Sequence, residues 1–187
     1  MIVYRISNFL KRKLPAPIFS LIRRVGTAIL TPIAFSYQSG HFLSSLRAKA
    51  VDRTGQPRIW YTFPLIELLE TKKFKTRSIL EFGGGQSTLW WAKRAKEVVS
   101  FENSSKWFNY LRKRVPPNVT IYLAKDEGPE SANKYLHKRT FDVITIDSFH
   151  RFKCAIWSTT RLAKGGAIIL DDSEGHWTES FPILDLI

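Results

Sequence analysis

The chain has 187 residues, 44% of them hydrophobic and 24% charged, which is ordinary for a soluble globular protein and enough for one domain with a real core. Its net charge of +13 is uneven: the first acidic residue is Asp52, so residues 1–51 carry eight Lys/Arg and no Asp or Glu. The single cysteine, Cys154, excludes an internal disulfide framework, and the four scattered histidines leave no zinc-ligand spacing, so the composition suits a reducing, cytoplasmic setting.

Residues 1–56 read as a basic helical extension of two or three short helices, broken at Pro15-Ala16-Pro17 and at Pro32. The longest uncharged stretch, Val25 to Leu46, contains Gly26, Pro32, Gln38, Gly40 and His41 and reads as too polar to span a membrane. No small-residue cleavage site follows Lys11-Arg12-Lys13, which argues against a secretory signal. The remaining options are a helical extension packed on the domain, or a basic amphipathic surface by which residues 1–50 lie on an anionic membrane as a peripheral contact. Asp52-Arg53-Thr54-Gly55-Gln56-Pro57 has turn chemistry and separates this extension from a second unit, 57–187.

In that second unit Pro64 suits the first turn of a helix whose apolar stripe is Leu65, Ile66, Leu68 and Leu69. From Arg77 onward, apolar strands at 78–82, 97–101, 119–123, 141–146 and 166–170 alternate with helical stretches near 87–95, 104–114, 130–137 and 152–163. Strands that are apolar throughout are covered on both faces, and strand–helix alternation predicts a mostly parallel α/β sheet with ligands at its carboxyl edge. Every candidate acid falls at such a strand end: Glu81, Glu102, Asp126, Asp147, Asp171 and Asp172. Cys154 reads as a small apolar residue on a helix rather than as a nucleophile.

The densest signal is Ser78-Ile79-Leu80-Glu81-Phe82-Gly83-Gly84-Gly85-Gln86-Ser87-Thr88, a strand that passes through three glycines into a helix. Glycine lets the backbone turn and approach a ligand, and positive φ is expected at Gly85. Glu102 ends the next strand, where a carboxylate can accept ribose hydroxyls. The third glycine of the dinucleotide fingerprint G-x-G-x-x-G is replaced by Thr88. Glu81 would also repel a pyrophosphate while suiting a positively charged amine. Both features argue against the rival reading of an NAD-linked oxidoreductase.

The E-F-G-G-G-Q-S-T run, with the Glu102 strand end, resembles motif I and the acidic loop of class I S-adenosylmethionine-dependent methyltransferases. Phe141-Asp142-Val143-Ile144-Thr145-Ile146-Asp147 and Leu162-Ala163-Lys164-Gly165-Gly166 resemble that family's fourth strand and the turn into its fifth. Residues Asp52 to Pro64, with Trp60 and Tyr61, are similar to a largely uncharacterised bacterial branch, and the resemblance runs from about Trp60 to Asp172. It implies a Rossmann-like three-layer sandwich with sheet order 3-2-1-4-5. The family's last two strands are expected to be missing, the chain being either naturally short or truncated, and another subunit or the extension would then cover the fifth-strand edge.

The resemblance also assigns roles for bound S-adenosylmethionine. Glu81 and the turn Gly83, Gly84, Gly85, Ser87 and Thr88 would hold the methionine end, Glu102 the ribose, and Asp126 the adenine amine. Asp147 would also line the cofactor pocket and, with His150, would handle the acceptor's proton, and Trp60 and Tyr61 would lid the pocket or belong to the core. Asp147 with Asp171 and Asp172 resembles the cation-binding acids of catechol-type O-methyltransferases, but the family often keeps the fourth-strand acid without a metal, and none is expected. The implied activity is methyl transfer to a small-molecule, lipid or glycan acceptor. The absence of an N-P-P-Y or D-P-P-Y site argues against nucleic acid. The alternative is a non-catalytic protein of the same fold that binds the cofactor or a partner.

Overall fold

The computed structural model describes residue 9 and residues 11–125, 128–148 and 150–173. The chain divides into two compact units, Met1–Gln56 and Pro57–Ile187.

In the first unit, α1 (Ala16–Gln38) leads through a tight turn to α2 (His41–Arg47). The expected break at Pro32 does not occur, and Pro32 lies inside a continuous helix of 23 residues. An interior proline costs a helix one hydrogen bond and some crowding, about 3 kcal/mol, which the uninterrupted turns on either side outlast. Pro17 sits in the first turn, where no N–H is needed. With Pro15 capping the start and Arg23 and Arg24 inside, α1 is long and apolar enough by length and composition to cross a membrane, whereas the stretch from Val25 to Leu46 runs past its end and through the turn into α2. Gly40, at φ 81°, makes the turn because a Cβ there would lie 2.6 Å from the Asp52 carbonyl carbon. The Ser44 hydroxyl donates to the Val51 carbonyl at 2.8 Å and accepts its N–H at 3.0 Å, pinning the segment after α2.

The second unit opens with α3 (Phe63–Glu70) and then alternates β1 (Ser78–Phe82), α4 (Gln86–Ala92), β2 (Glu97–Glu102), α5 (Ser105–Leu111), β3 (Val119–Leu123), α6 (Asn133–Leu136), β4 (Phe141–Ile146), α7 (Arg151–Thr159) and β5 (Leu162–Leu170). All five strands are parallel, in the order β3-β2-β1-β4-β5. This is the Rossmann-like α/β fold expected. The fifth strand begins at Leu162, earlier than its apolar run: Leu162 pairs with Phe141 and Ala167 with Val143, so the K-G-G segment forms an irregularity between the two pairs.

Strand alternation divides the core in two. One cluster joins Ile79, Val98 and Val143 to Ile66, Leu69, Trp90 and Trp91. The other joins Leu80, Phe82, Val99, Phe101, Ile144 and Ile146 to Leu136, Cys154 and Trp157. Asp142, the first acid of the F-D-V-I-T-I-D run, lies at the opposite end of the sheet from the glycine turn. Its carboxylate accepts from the Ser78 N–H at 2.8 Å and pairs with Arg77 at 2.7 Å, so it staples β4 to the start of β1.

Candidate functional site

The ladder hydrogen bonds continue one step past the strands and align their tips. Gly83 N–H donates to Phe101 O, Asp147 N–H to Phe82 O, Ala124 N–H to Glu102 O, and Asp171 N–H to Ile146 O, at 2.8–3.0 Å. Residues after β1, β3, β4 and β5, with Glu102 at the end of β2, therefore share one edge.

The three glycines of the β1–α4 turn stand in three different environments. Gly83 carries the positive φ, 97°, and a Cβ there would fall 1.9 Å from the Asp147 carbonyl oxygen. Gly84 is wedged, with a Cβ position 2.9 Å from Ser100 Oγ and 3.0 Å from Leu111 Cδ1. Gly85 was expected to have positive φ, but its φ of −168° is extended backbone that any residue adopts. A Cβ there would meet only Ser87 Oγ, at 3.7 Å. Gly83, also a sharp-turn position by the chemistry of the run, takes the positive φ, and β4's tip presses on it there.

Thr88 braces this turn from inside. Its fully buried hydroxyl accepts the Gly85 N–H at 3.0 Å and donates to Glu81 Oε2. The same Glu81 oxygen accepts from Ser100 Oγ at 2.8 Å. Glu81 pairs in register with Ser100 on β2 and Thr145 on β4, so the three form a polar row across one sheet face, each no more than 2% exposed. Glu81 Oε1 and Thr145 Oγ1 are buried there without hydrogen-bond partners. Burial pushes the Glu81 carboxyl up to about 7, against the pull of the nearby Ser87, Thr88 and Ser100 hydroxyls. Tyr61 is buried beside Glu81, and burial first, then the Glu81 charge, raises its phenol far above the ordinary value. Trp60, its neighbour, is exposed instead, so the two aromatics divide between surface and core.

Glu102 is 4% exposed, and its Oε1 accepts the Ser104 N–H at 2.6 Å. Burial raises its carboxyl above the ordinary value, while the N–H groups of Ser104, Gly84 and Asn103 draw it back. Glu102 is thereby tied to the glycine turn through Gly84.

A cleft opens at the same edge, lined by Phe82, Phe101, Asn103, Ala124, Ser148 and His150 among others. His150 is exposed and precedes α7 in the left-handed conformation, φ 57° and ψ 38°, a region costly for residues with a Cβ. Cys154, at the cleft's inner end, has its thiol pushed up to about 12 by burial and by Glu130. A thiol held protonated is a poor nucleophile.

Asp147, Asp171 and Asp172 gather at the tips of β4 and β5, with one carboxylate oxygen of each within 4.8 Å of the others. Arg151 reaches into the group, 2.6 Å from Asp147 Oδ1 and 3.5 Å from Asp172 Oδ2. Burial and the neighbouring Asp147 and Asp172 charges push Asp171 up to about 6. Asp126, assigned above to the adenine amine, lies outside the described residues.

Glu81, Gly83, Gly84, Gly85, Thr88 and Glu102 thus form one bonded unit, and Asp147 joins it through its backbone while its carboxylate turns to Arg151. Ser100, Thr145 and Arg151 were not singled out from sequence. Their signal was present: a polar residue stands two positions before the tip in Val98-Val99-Ser100-Phe101-Glu102 and again in Val143-Ile144-Thr145-Ile146-Asp147, where an apolar strand has no need of one.

No protein-family model matches the chain, and no curated protein matches it in sequence. Among solved structures it is similar to precorrin 8w decarboxylase of Methanobacterium thermoautotrophicum, at 19% identity over 65% of this chain and 69% of that one, with a TM-score of 0.52. It also matches an S-adenosylmethionine-dependent methyltransferase from Thiobacillus denitrificans in complex with S-adenosylhomocysteine, at 14% identity over 59% of this chain and a TM-score of 0.46, and spans only 48% of that protein. A third match is the DhpI–SAH complex, at 16% identity over 75% of this chain and 64% of that one, with a TM-score of 0.41. At such identities the likeness is one of fold, and the precorrin enzyme carries it.

Proposed function

We propose that the second unit binds S-adenosylmethionine and transfers its methyl group to a small-molecule, lipid or glycan acceptor. The observation that carries this reading is the division among the glycines. Packing forbids a side chain at Gly83 and Gly84, whereas Gly85 has an ordinary φ and open space at its Cβ position. A glycine where packing does not require one leaves room for a ligand pressed against the turn. Glu102 supports the same ligand class, because a carboxylate at the tip of β2 can accept a ribose diol while the Gly84 and Ser104 N–H groups hold it still. Glu81 Oε1, buried and unpartnered, supplies an acceptor for an amine beside the turn.

S-adenosylmethionine supplies an electrophilic methyl on a sulfonium, so the chain's own work is positioning and proton handling. His150 stands at the cleft's lining and can take a proton from an acceptor hydroxyl or amine. Asp147, paired with Arg151, fits an orienting role beside it. A second reading, cofactor binding without turnover, is favoured by that same pair, because Arg151 already engages the strand-four acid.

Calorimetry with S-adenosylhomocysteine and with NAD tests the proposal. Binding of the first and not the second is the expected result, and NAD binding alone would overturn it. Methyl transfer to any member of an acceptor panel excludes the second reading.

A further inference from the structure

Helix α1 is an apolar element that covers nothing. None of its residues is buried, and Leu21, Ile29, Leu30 and Ile33 are each more than half exposed. At about 100° per residue, Ser20, Arg23, Arg24, Thr27, Thr31 and Gln38 fall within one arc of roughly 100°. The rest of the circumference is Ile, Leu, Val, Phe, Ala, Gly, Pro and Tyr, with Ser36 the one interruption. Lys11, Arg12 and Lys13 precede the helix and Arg47 and Lys49 follow it, with no acidic residue before Asp52.

We infer that α1 lies in the plane of an anionic bilayer leaflet, its apolar arc among the acyl chains and its Arg/Ser/Thr arc among the headgroups. Charge decides the occupant. A second copy of α1 would bring like charges together, because this segment carries cations alone, whereas an anionic leaflet is complementary to it at every basic site. Segregation decides the orientation. The helix is about 34 Å long, enough to span, but spanning would put Arg23, Arg24, Thr27 and Thr31 within the hydrocarbon. Lying flat keeps all four at the headgroup level. This inference concerns the first unit and stands whether or not the second unit binds S-adenosylmethionine.

The test is flotation of the full chain with vesicles of phosphatidylcholine alone or mixed with phosphatidylserine. The chain is expected to float with the mixed vesicles, less in high salt, and to bind phosphatidylcholine weakly. Arg23→Gln with Arg24→Gln should lower affinity for mixed vesicles roughly tenfold or more. Leu21→Asp with Ile29→Asp should abolish flotation. These positions are exposed, so an unchanged thermal melt confirms that the variants fold. Thr27→Lys with Thr31→Lys separates the two orientations: a flat helix gains affinity, and a spanning one loses insertion, which would overturn the in-plane arrangement. A chain that ignores mixed vesicles at low salt, or that dimerises in solution through Leu21 and Ile29, overturns the membrane assignment itself.

Discussion

The two halves of the strand-tip edge hold their carboxylates in opposite ways. At β1 and β2, Glu81 and Glu102 are 2% and 4% exposed and are wired to hydroxyls and backbone N–H groups. At β4 and β5, the Asp147 and Asp172 side chains are 48% and 66% exposed, and one arginine serves both. Groups that are buried and held by several hydrogen bonds keep one geometry. Carboxylates that are exposed and share one cation can rearrange at little cost. Under the proposed function, the first half would hold the cofactor and the second would meet the acceptor.

Breaking the rigid half at its tightest point should have the largest effect. Gly83→Ala demands a left-handed φ and drives a Cβ into the Asp147 carbonyl, so we expect a loss of roughly 4 kcal/mol or more of stability, or failure to fold. Gly85→Ala, two residues away, should leave the thermal melt unchanged within about 0.5 kcal/mol and still weaken S-adenosylhomocysteine binding. Equal melting losses in the two variants would show that Gly85 is structural after all.

Glu81 gives the rigid half a pH signature. Its carboxyl rises from 4.5 to about 7 on folding, so the folded chain binds more protons between those values. The associated stability is full below pH 4.5 and is lost as pH rises through 7, which amounts to roughly 3 kcal/mol. Asp171, raised from 3.8 to about 6, adds a change of the same sign at lower pH. Glu81→Gln removes the Glu81 part alone, so its melting temperature should exceed the parent's at pH 8 and converge with it at pH 4.5. Parallel curves for the two proteins would refute the assignment.

Glu102→Ala should cost about 1–3 kcal/mol of stability, because it strips a buried acceptor from the Ser104 and Gly84 N–H groups. Glu102→Gln keeps an oxygen acceptor and should melt nearer the parent. Both should bind S-adenosylhomocysteine at least about tenfold more weakly if the carboxylate receives the ribose. A dissociation constant unchanged in Glu102→Gln would sink the ribose role.

Much of the rigid half was legible in the residues, because strand and turn signals are local. The five apolar runs, Glu102 at a strand tip and the glycine turn all follow from period and residue type. Three things did not follow. Which glycine takes positive φ depends on the tip of β4, some 60 residues away in sequence, pressing on Gly83. The Thr88–Glu81–Ser100 brace depends on strand register, which sequence does not reveal. The run of α1 through Pro32 is a competition between one lost hydrogen bond and the turns around it, and residue type alone sides with the break.

The smallest effect is expected in the adaptable half. Arg151→Ala removes the partner of Asp147 and Asp172, but water already reaches both carboxylates and can solvate them once the guanidinium is gone. The cost should therefore stay within about 1 kcal/mol, as for exposed ion pairs generally, and a double-mutant cycle with Asp147→Asn should give a coupling of about 0.2–1 kcal/mol. The change should appear in protonation instead. Arg151 holds the Asp171 carboxyl down against burial and two like charges, so its removal should move the Asp171 midpoint above about 6 in a carbon-detected NMR titration. If Arg151→Ala destabilises the chain as much as Glu102→Ala, the second half is as rigid as the first, and the contrast between them fails.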